Sequence, residues 1–306
     1  MQQSSEALVK SLLVQSPPGE FESVLSCLKT LLGRGSEAER ILALALPAAC
    51  REHNLAASLA LPLPDDAGGG WVLLCSDGEV PGGGFLAWPP GCGDKPLVAG
   101  VDHVARRVVS TRPAKPSERP HASVEPFRAS LAAAAGAYAA EAHPNGAAAV
   151  YASVAEPKDG GRATLIVVLS AAAQQRHNFW SGSARSRWSA SFDFGGLGVR
   201  LEGRVGATVF CAEDGAVTLT SAQGVTAESR AESAEAFGKT VVTAIRLVEA
   251  GYYSSLGECV DSLSQGTYKA LRRALPLTRQ KFGWEDAGHK LAFALAARQK
   301  AAARAQ

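Results

Sequence analysis

Between residues 227 and 264 there is no proline, and Phe237, Val241, Ile245, Val248, Tyr252, Leu256, Val260 and Leu263 keep helical spacing throughout. A stripe of this period is one face of an amphipathic helix, and that face must be covered by something. Ser229 and Glu232, three residues apart, have the chemistry of a capping box and set the expected start. At 1.5 Å per residue such a helix runs on the order of 55 Å.

The clearest β signal lies just upstream. Val150 to Val154 and Thr164 to Leu169 are apolar and β-branched. Trp188, Ala190, Phe192 and Phe194 alternate with Arg187, Ser189, Ser191 and Asp193. Val199, Leu201, Val205, Ala207 and Val209 alternate with Arg200, Glu202, Arg204 and Thr208. A period of two gives one buried and one polar face, the pattern of antiparallel sheets. Asp214-Gly215 is a hairpin turn leading into Val217 and Leu219. About five antiparallel strands are predicted between residues 147 and 223. Strands stand about 4.8 Å apart, so the helix is longer than its own sheet is wide. Either the overhang covers another part of the chain, or a second chain extends the sheet. The second is favoured, because the stripe does not fade toward its C-terminal half.

Ahead of the sheet, residues 5 to about 57 read as three short helices in a small antiparallel bundle. Leu8, Val9, Leu12 and Leu13 mark the first; Phe21, Val24, Leu25, Leu28, Leu31 and Leu32 mark the second, with Pro18 placed to open it and Gly33 and Gly35 to end it. The third begins at Ile41 to Leu46 and is interrupted by Pro47. Residues 61 to 124 are rich in Gly and Pro, with a strand at Trp71 to Cys75, a turn at Ser76-Asp77-Gly78 and a polar loop over 110 to 122. Residues 125 to 142 are alanine-rich and helical, anchored by Phe127, Leu131 and Tyr138.

The elements in order are N-terminal antiparallel helices, a small β region, a five-stranded antiparallel sheet, a long C-terminal helix, then an amphipathic tail. The expected division is 1-60 helical bundle, 61-124 small β region, 125-225 helix plus central sheet, 226-264 long helix, and 265-306 basic amphipathic tail.

Charge is segregated along the chain. The formal net charge is +2. Residues 269 to 306 carry Lys269, Arg272, Arg273, Arg279, Lys281, Lys290, Arg298, Lys300 and Arg304 against Glu285 and Asp286, so the tail is +7 and the rest is −5. Such segregation points to an acidic partner: a nucleic acid, a membrane surface or an acidic protein. Ser264-Gln265-Gly266-Thr267 breaks the long helix, Thr267 can cap a short basic helix to Ala274, and Pro276 stops it. Trp284, Leu291 and Leu295 then share one face of a last helix.

Catalytic and cofactor motifs are missing. Six cysteines without a CxxC pair fit a reducing cytosol, and dispersed histidines give no metal-ligand spacing. There is no run of 18 apolar residues and no signal-peptide pattern at the N-terminus. Phe237-Gly238-Lys239-Thr240 resembles the end of a phosphate-binding loop, but the first glycine of that motif would fall at Ser233, inside a helical pattern. Neither Gly68-Gly69-Gly70 nor Gly82-Gly83-Gly84 is followed by a Lys-Ser/Thr pair, so both read as surface loops. Asp102-His103 has no nucleophile beside it and reads as a structural, hydrogen-bonding histidine. An enzyme is not expected, and neither is a cofactor or a metal. A nucleic-acid binder would show stacking aromatics; Trp180 and Trp188 with Arg185 and Arg187 are the only candidates, and Trp188 fits the buried face. A peripheral membrane module would use the basic helix on phosphoinositide surfaces.

Several segments together resemble the alpha-subunit family of the heterodimeric F-actin capping protein. They are Ser16-Pro17-Pro18-Gly19-Glu20-Phe21; Asp102-His103; Asn145-Gly146 with Val150-Tyr151-Ala152; Asn178-Phe179-Trp180 with Arg185-Ser186 and Trp188; Glu213-Asp214-Gly215; and the run Thr267 to Arg279 with Lys281 and Trp284. The resemblance implies an α+β fold in which N-terminal antiparallel helices and a small β region precede a five-stranded antiparallel sheet crossed by the long C-terminal helix, a sheet that pairs with that of a homologous beta subunit, and a C-terminal "tentacle" that meets the barbed end of an actin filament. It puts Lys269, Arg273 and Arg279 where the family's actin-contacting basic residues lie, with Arg272 and Lys281 as neighbours and Trp284 and Leu291 on the apolar face. It implies a cytoplasmic, cytoskeletal location, and phosphoinositides and capping regulators as further partners, but no nucleic acid.

Overall fold

The computed structural model describes residues 5–143, 145–152, 161–175, 180–195, 197–211 and 217–265. Three helices come first: α1 (Ser5–Val14), α2 (Phe21–Leu32) and α3 (Ser36–Ala56). They share one core of Val9, Leu13, Phe21, Leu25, Leu28, Ile41 and Ala49. Two of the expected boundaries move. Pro18 does not open α2, which starts at Phe21 after a turn closed by the Glu20 N–H donating to the Pro17 carbonyl. Nor does Pro47 interrupt α3, which runs through it for 21 residues. A proline there forfeits one bond, to Ala43, and packing of Ile41, Ala45, Ala49 and Cys50 outweighs the loss. Gly33 ends α2 at φ 76°, as expected of a glycine there.

The small β region forms two sheets. Strands β1 (Ala60–Pro62) and β2 (Trp71–Leu73) pair antiparallel, as do β3 (Phe85–Ala87), β4 (Leu97–Asp102) and β5 (Arg107–Pro113). The polar loop expected over 110 to 122 therefore starts later, because residues 110 to 113 belong to β5. The reason is local: Arg112 reaches forward from β5 to Glu118 in a two-pronged pair at 2.7 Å, and Glu118 also accepts the Lys115 N–H. These bonds, the Arg112 one foremost, hold the Glu118 carboxyl down to about 2.

Helix α4 (Glu125–Ala142) leads into the main sheet: β6 (Ala147–Ala152), β7 (Arg162–Gln175), β8 (Trp180–Asp193), β9 (Gly198–Cys211) and β10 (Val217–Arg230). The five strands lie antiparallel in the order β10-β9-β8-β7-β6. The period-two reading holds in detail: Trp188, Ala190, Phe192, Val199, Leu201 and Val205 are all buried. Trp188 lies opposite Gly203 in the register, and a Cβ on Gly203 would come within 2.5 Å of the indole ring. The glycine is thus what leaves room for the tryptophan.

Helix α5 (Ala234–Gln265) crosses this face beside α4. The expected capping box at Ser229 and Glu232 is not its start. Ser229 is still paired in β10, opposite Val199, and the Ser233 Oγ instead accepts the Ala236 N–H at 3.2 Å. Strand pairing across fourteen residues overrides the local cap signal. The two helices and the sheet enclose the largest core, where the Phe127 ring meets Phe192 and Phe237 at 4.9 and 5.3 Å. At the helix crossing Gly238 presses on the backbone of Ser130, whose Oγ accepts the Gly238 N–H and donates to the Glu235 carbonyl. A Cβ at 238 would overlap the Ser130 carbonyl, backbone against side chain, with nothing flexible to yield. Gly238→Ala is therefore expected to destabilise the chain by about 1–3 kcal/mol, measured by chemical denaturation; an unchanged midpoint would contradict the tight crossing.

Two histidines are held neutral. Burial is the main cause of the lowered pKa of both His53, whose Nδ1 lies 3.4 Å from the Val14 carbonyl, and His103, which packs edge-on against Phe85. Their folded values lie below the ordinary 6.5, so the unfolded chain binds more protons once the pH drops under that value. Stability is then full above about pH 6.5 and falls as acid is added. The unfolding temperature should drop between pH 7.5 and 5.5, and a His53→Gln, His103→Gln chain should lose most of that slope.

Candidate functional site: an open sheet edge and the helix above it

All seven residues singled out from the sequence, Lys269, Arg272, Arg273, Arg279, Lys281, Trp284 and Leu291, lie outside the described residues, as do the Asp214-Gly215 turn and Asn178-Phe179. What the structure does show is the base from which the tail departs. Phe237, Val241 and Ile245 of α5 are fully buried over the sheet, and Tyr252 is nearly so. Val248 and Leu256 are only partly buried, and none of residues 253 to 259 is buried. Leu247, 76% exposed, faces away from the core. Cover thins along the stripe, with Leu256 half-buried at the rim of the core, and the side chains of Val260 and Leu263 lie outside the described residues.

One residue fixes the helix at this point. Glu249 is 1% exposed, yet it is a carboxylate. Its Oε2 accepts the Tyr138 O–H of α4 at 2.7 Å, and its Oε1 accepts the Trp188 indole N–H of β8 at 3.0 Å. Helix, helix and sheet centre are therefore tied at a single group. Burial, with Glu249 adding to it, pushes the Tyr138 phenol well above its ordinary range. Arg246, one turn earlier, pairs with Glu141 and stands 5.2 Å over the Tyr138 ring. Sequence reasoning missed Glu249, although a lone acid three residues before Tyr252 and four after Ile245, inside an apolar stripe, was the signal for it.

The sequence reading favours a second chain extending the sheet but does not say which strand forms the edge. Among the described residues strand β10 pairs only with β9, in unbroken register from Val217 to Arg230. From Val217 to Ala227 it has no charge and no proline. Thr218, Thr220, Ala222, Gly224 and Thr226 are exposed. Charges, prolines and bulges are the devices that keep an edge from pairing with another chain; β10 has charge only at its last turn-side residues, Glu228 and Arg230, and neither proline nor bulge.

The outer face of the sheet, away from α4 and α5, is only half covered. On the β6 and β7 side, Tyr151, Ile166 and Val168 pack against Leu73 and Cys75. The Tyr151 O–H donates to the Leu73 carbonyl, and Arg187 of β8 holds Asp77 in a two-pronged pair at 2.7 Å. Beyond Arg187 the cover stops, and a groove of about 870 Å³ opens under β8, β9 and β10, walled by α1 and α3. Arg185 and Arg187, weighed above as nucleic-acid contacts, both belong to this groove; the aromatic beside them, Trp188, is buried on the opposite face.

The motifs that suggest chemistry have structural roles. Asp102 does not bond the His103 ring. Its Oδ1 accepts the Val104 and Ala105 N–H groups at 3.0 Å, so it caps a turn, and the backbone bond from Ala105 lowers its pKa. His103 takes part through its carbonyl, which accepts from Asn54 Nδ2. The expectation of a hydrogen-bonding imidazole is corrected accordingly: the ring fills space. Gly238-Lys239-Thr240 lies within α5, where the Thr240 hydroxyl donates to the Ala236 carbonyl. Among the described residues no three His, Cys, Asp or Glu side chains converge as metal ligands would.

Comparison with known proteins agrees with this architecture. The family model of the F-actin capping protein alpha subunit matches residues 9–293, which includes the basic tail as far as Leu291. The F-actin-capping protein subunit alpha of Dictyostelium discoideum is 28% identical over 285 residues, covering 92% of this chain and 95% of that one. That of Arabidopsis thaliana is 29% identical over 283 residues, covering 91% and 88%. Among solved structures, a homodimeric actin capping protein alpha subunit from Plasmodium berghei superposes with a TM-score of 0.66 at 19% identity, over 89% of this chain and 97% of that one. With a match across nearly its whole length and the same fold, the chain belongs to the F-actin capping protein alpha subunit family.

Proposed function

We propose that the chain caps the barbed, fast-growing ends of actin filaments as the alpha half of an alpha/beta heterodimer, blocking both addition and loss of subunits. The observation that carries this reading is the β10 edge: fourteen residues in regular register, without charge from Val217 to Ala227, and unpaired on its outer side among the described residues, beneath a helix whose apolar stripe is only half-buried at Leu256. A beta subunit adding its own sheet at β10 satisfies both at once. Binding, not catalysis, does the work. Lys269, Arg272, Arg273, Arg279 and Lys281 steer the tail to acidic actin, and Trp284 and Leu291 supply the apolar contact that slows release. The dimer acts in the cytoplasm, on the cytoskeleton, and phosphoinositides or capping regulators compete for the same basic surface.

A second reading is favoured by one observation: the Plasmodium berghei neighbour is described as homodimeric, so a second copy of this chain is the rival for β10. Expression with and without a beta subunit separates the two. A 1:1 complex that stops growth at one end of polarity-marked filaments supports the heterodimer. A chain that is a stable monomer in either case, with its edge and helix stripe bare, would contradict both readings. Flotation with phosphoinositide liposomes, without any effect on filaments, would instead identify a peripheral membrane module.

A further inference from the structure

The groove on the outer face is unevenly charged. At its walls each cation is matched: Lys10 lies 2.8 Å from Glu52, Arg51 2.6 Å from Glu79, and Arg187 2.7 Å from Asp77. On its floor the pattern stops. Arg185 of β8 and Arg204 of β9 have no carboxylate partner among the described residues. The sheet register brings them together: Arg187 lies directly opposite Arg204, and Arg185 lies two residues along, opposite Gly206. Like charges on neighbouring strands repel. Both side chains keep solvent contact; partial burial, with the nearby Arg204, lowers the Arg185 pKa. The adjoining lining is small: Gly206, Thr220 and Ala222 leave the floor clear out to the open edge of β10.

We propose that Arg185 and Arg204 receive an acidic segment, bearing Asp or Glu side chains, of the subunit that pairs with β10. This rests on the heterodimer reading above. The groove ends at the strand where that subunit joins, so the segment needs only to pass beneath the joined sheet. Two guanidiniums with ten N–H donors between them suit carboxylates, which accept in two-pronged fashion. A second copy of this chain fits less well. Antiparallel pairing of β10 with itself places both sheets the same way up, so it would bring two more arginines to the face that already has two in excess. The arginine pair thus supplies a reason for the partner to be different from this chain.

The test uses the full chain co-expressed with a beta subunit. Arg185→Glu with Arg204→Glu is expected to weaken subunit association on the order of 30-fold or more, while Arg200→Glu, on the same sheet but paired with Glu202, leaves it unchanged. A photo-crosslinking amino acid at Thr220 should capture a beta-subunit peptide containing Asp or Glu, read by mass spectrometry. If the wild-type dimer forms but the double variant binds as tightly, or Arg200→Glu weakens it equally, the inference fails and the heterodimer stands. It fails likewise if the captured peptide has no acid or comes from a second copy of this chain, or if a phosphorylated molecule occupies the groove. If the wild-type chain forms no heterodimer at all, the functional reading fails first.

Discussion

Reversing the charge of Lys269, Arg273 and Arg279 together is expected to weaken capping by about 100-fold at low salt. Most of that loss should fall on association, because in the proposed mechanism basic residues steer encounter with an acidic surface, whereas Trp284 and Leu291 are proposed to govern release. The difference from wild type should shrink as salt rises, since exposed charges more than about 10 Å apart are screened at 0.1 M. Time-resolved capping of growing filaments separates the two rates. The triple variant must be purified with its beta partner so that folding and assembly are matched. If it blocks seeded growth as well as wild type, these three residues do not hold actin. A rise in release rate alone would likewise contradict the steering role.

The second large effect is expected inside the fold. Glu249→Ala removes the one acceptor shared by Tyr138 and Trp188, leaving a buried O–H and a buried indole N–H without partners and a void between α4, α5 and β8. Each unsatisfied buried donor costs about 1–3 kcal/mol, so a total loss of about 3–5 kcal/mol is expected, a large share of the stability of a domain. Glu249→Gln keeps one oxygen acceptor but turns an amide donor toward the second donor, and should fall between the two. Chemical denaturation of the three chains gives the order. Equal stability for all three would mean that the carboxylate does not pin the helix. Because α5 leads directly into the tail, loosening it is also expected to lower capping in proportion to lost dimer rather than to lost charge.

The contrast between these two sites shows what the sequence could and could not reveal. Strand alternation was readable because burial follows side-chain direction: Trp188, Ala190 and Phe192 face the core, and Arg187 and Arg185 do not. The stripe of α5 was readable for the same reason. Boundaries were not, where long-range pairing competed with local signals. Ser229 has the residue type of a cap, but its place opposite Val199 depends on β9, thirty residues away. Pro47 has the residue type of a breaker, but the core shared with α1 and α2 keeps the helix intact. Asp102 and His103, adjacent in sequence, turned out to serve a turn and a hydrophobic contact respectively. The Glu249 tie and the Arg185–Arg204 pair each depend on segments far apart in the chain, so neither had a local motif to announce it. The tail is the reverse case: its charge and its matched run from Thr267 are plain in the sequence and in the family match through residue 293.

In the proposed function this chain works only as half of a dimer, with its tail at the barbed end. Seeded actin elongation measures that directly, with the chain alone, the beta subunit alone, and the purified pair titrated against the same seeds. Barbed-end growth should stop at a stoichiometry of one pair per filament end, pointed-end growth should continue, and neither subunit alone should act. Full elongation in the presence of a well-formed pair, or arrest by the isolated chain as a monomer, would contradict it.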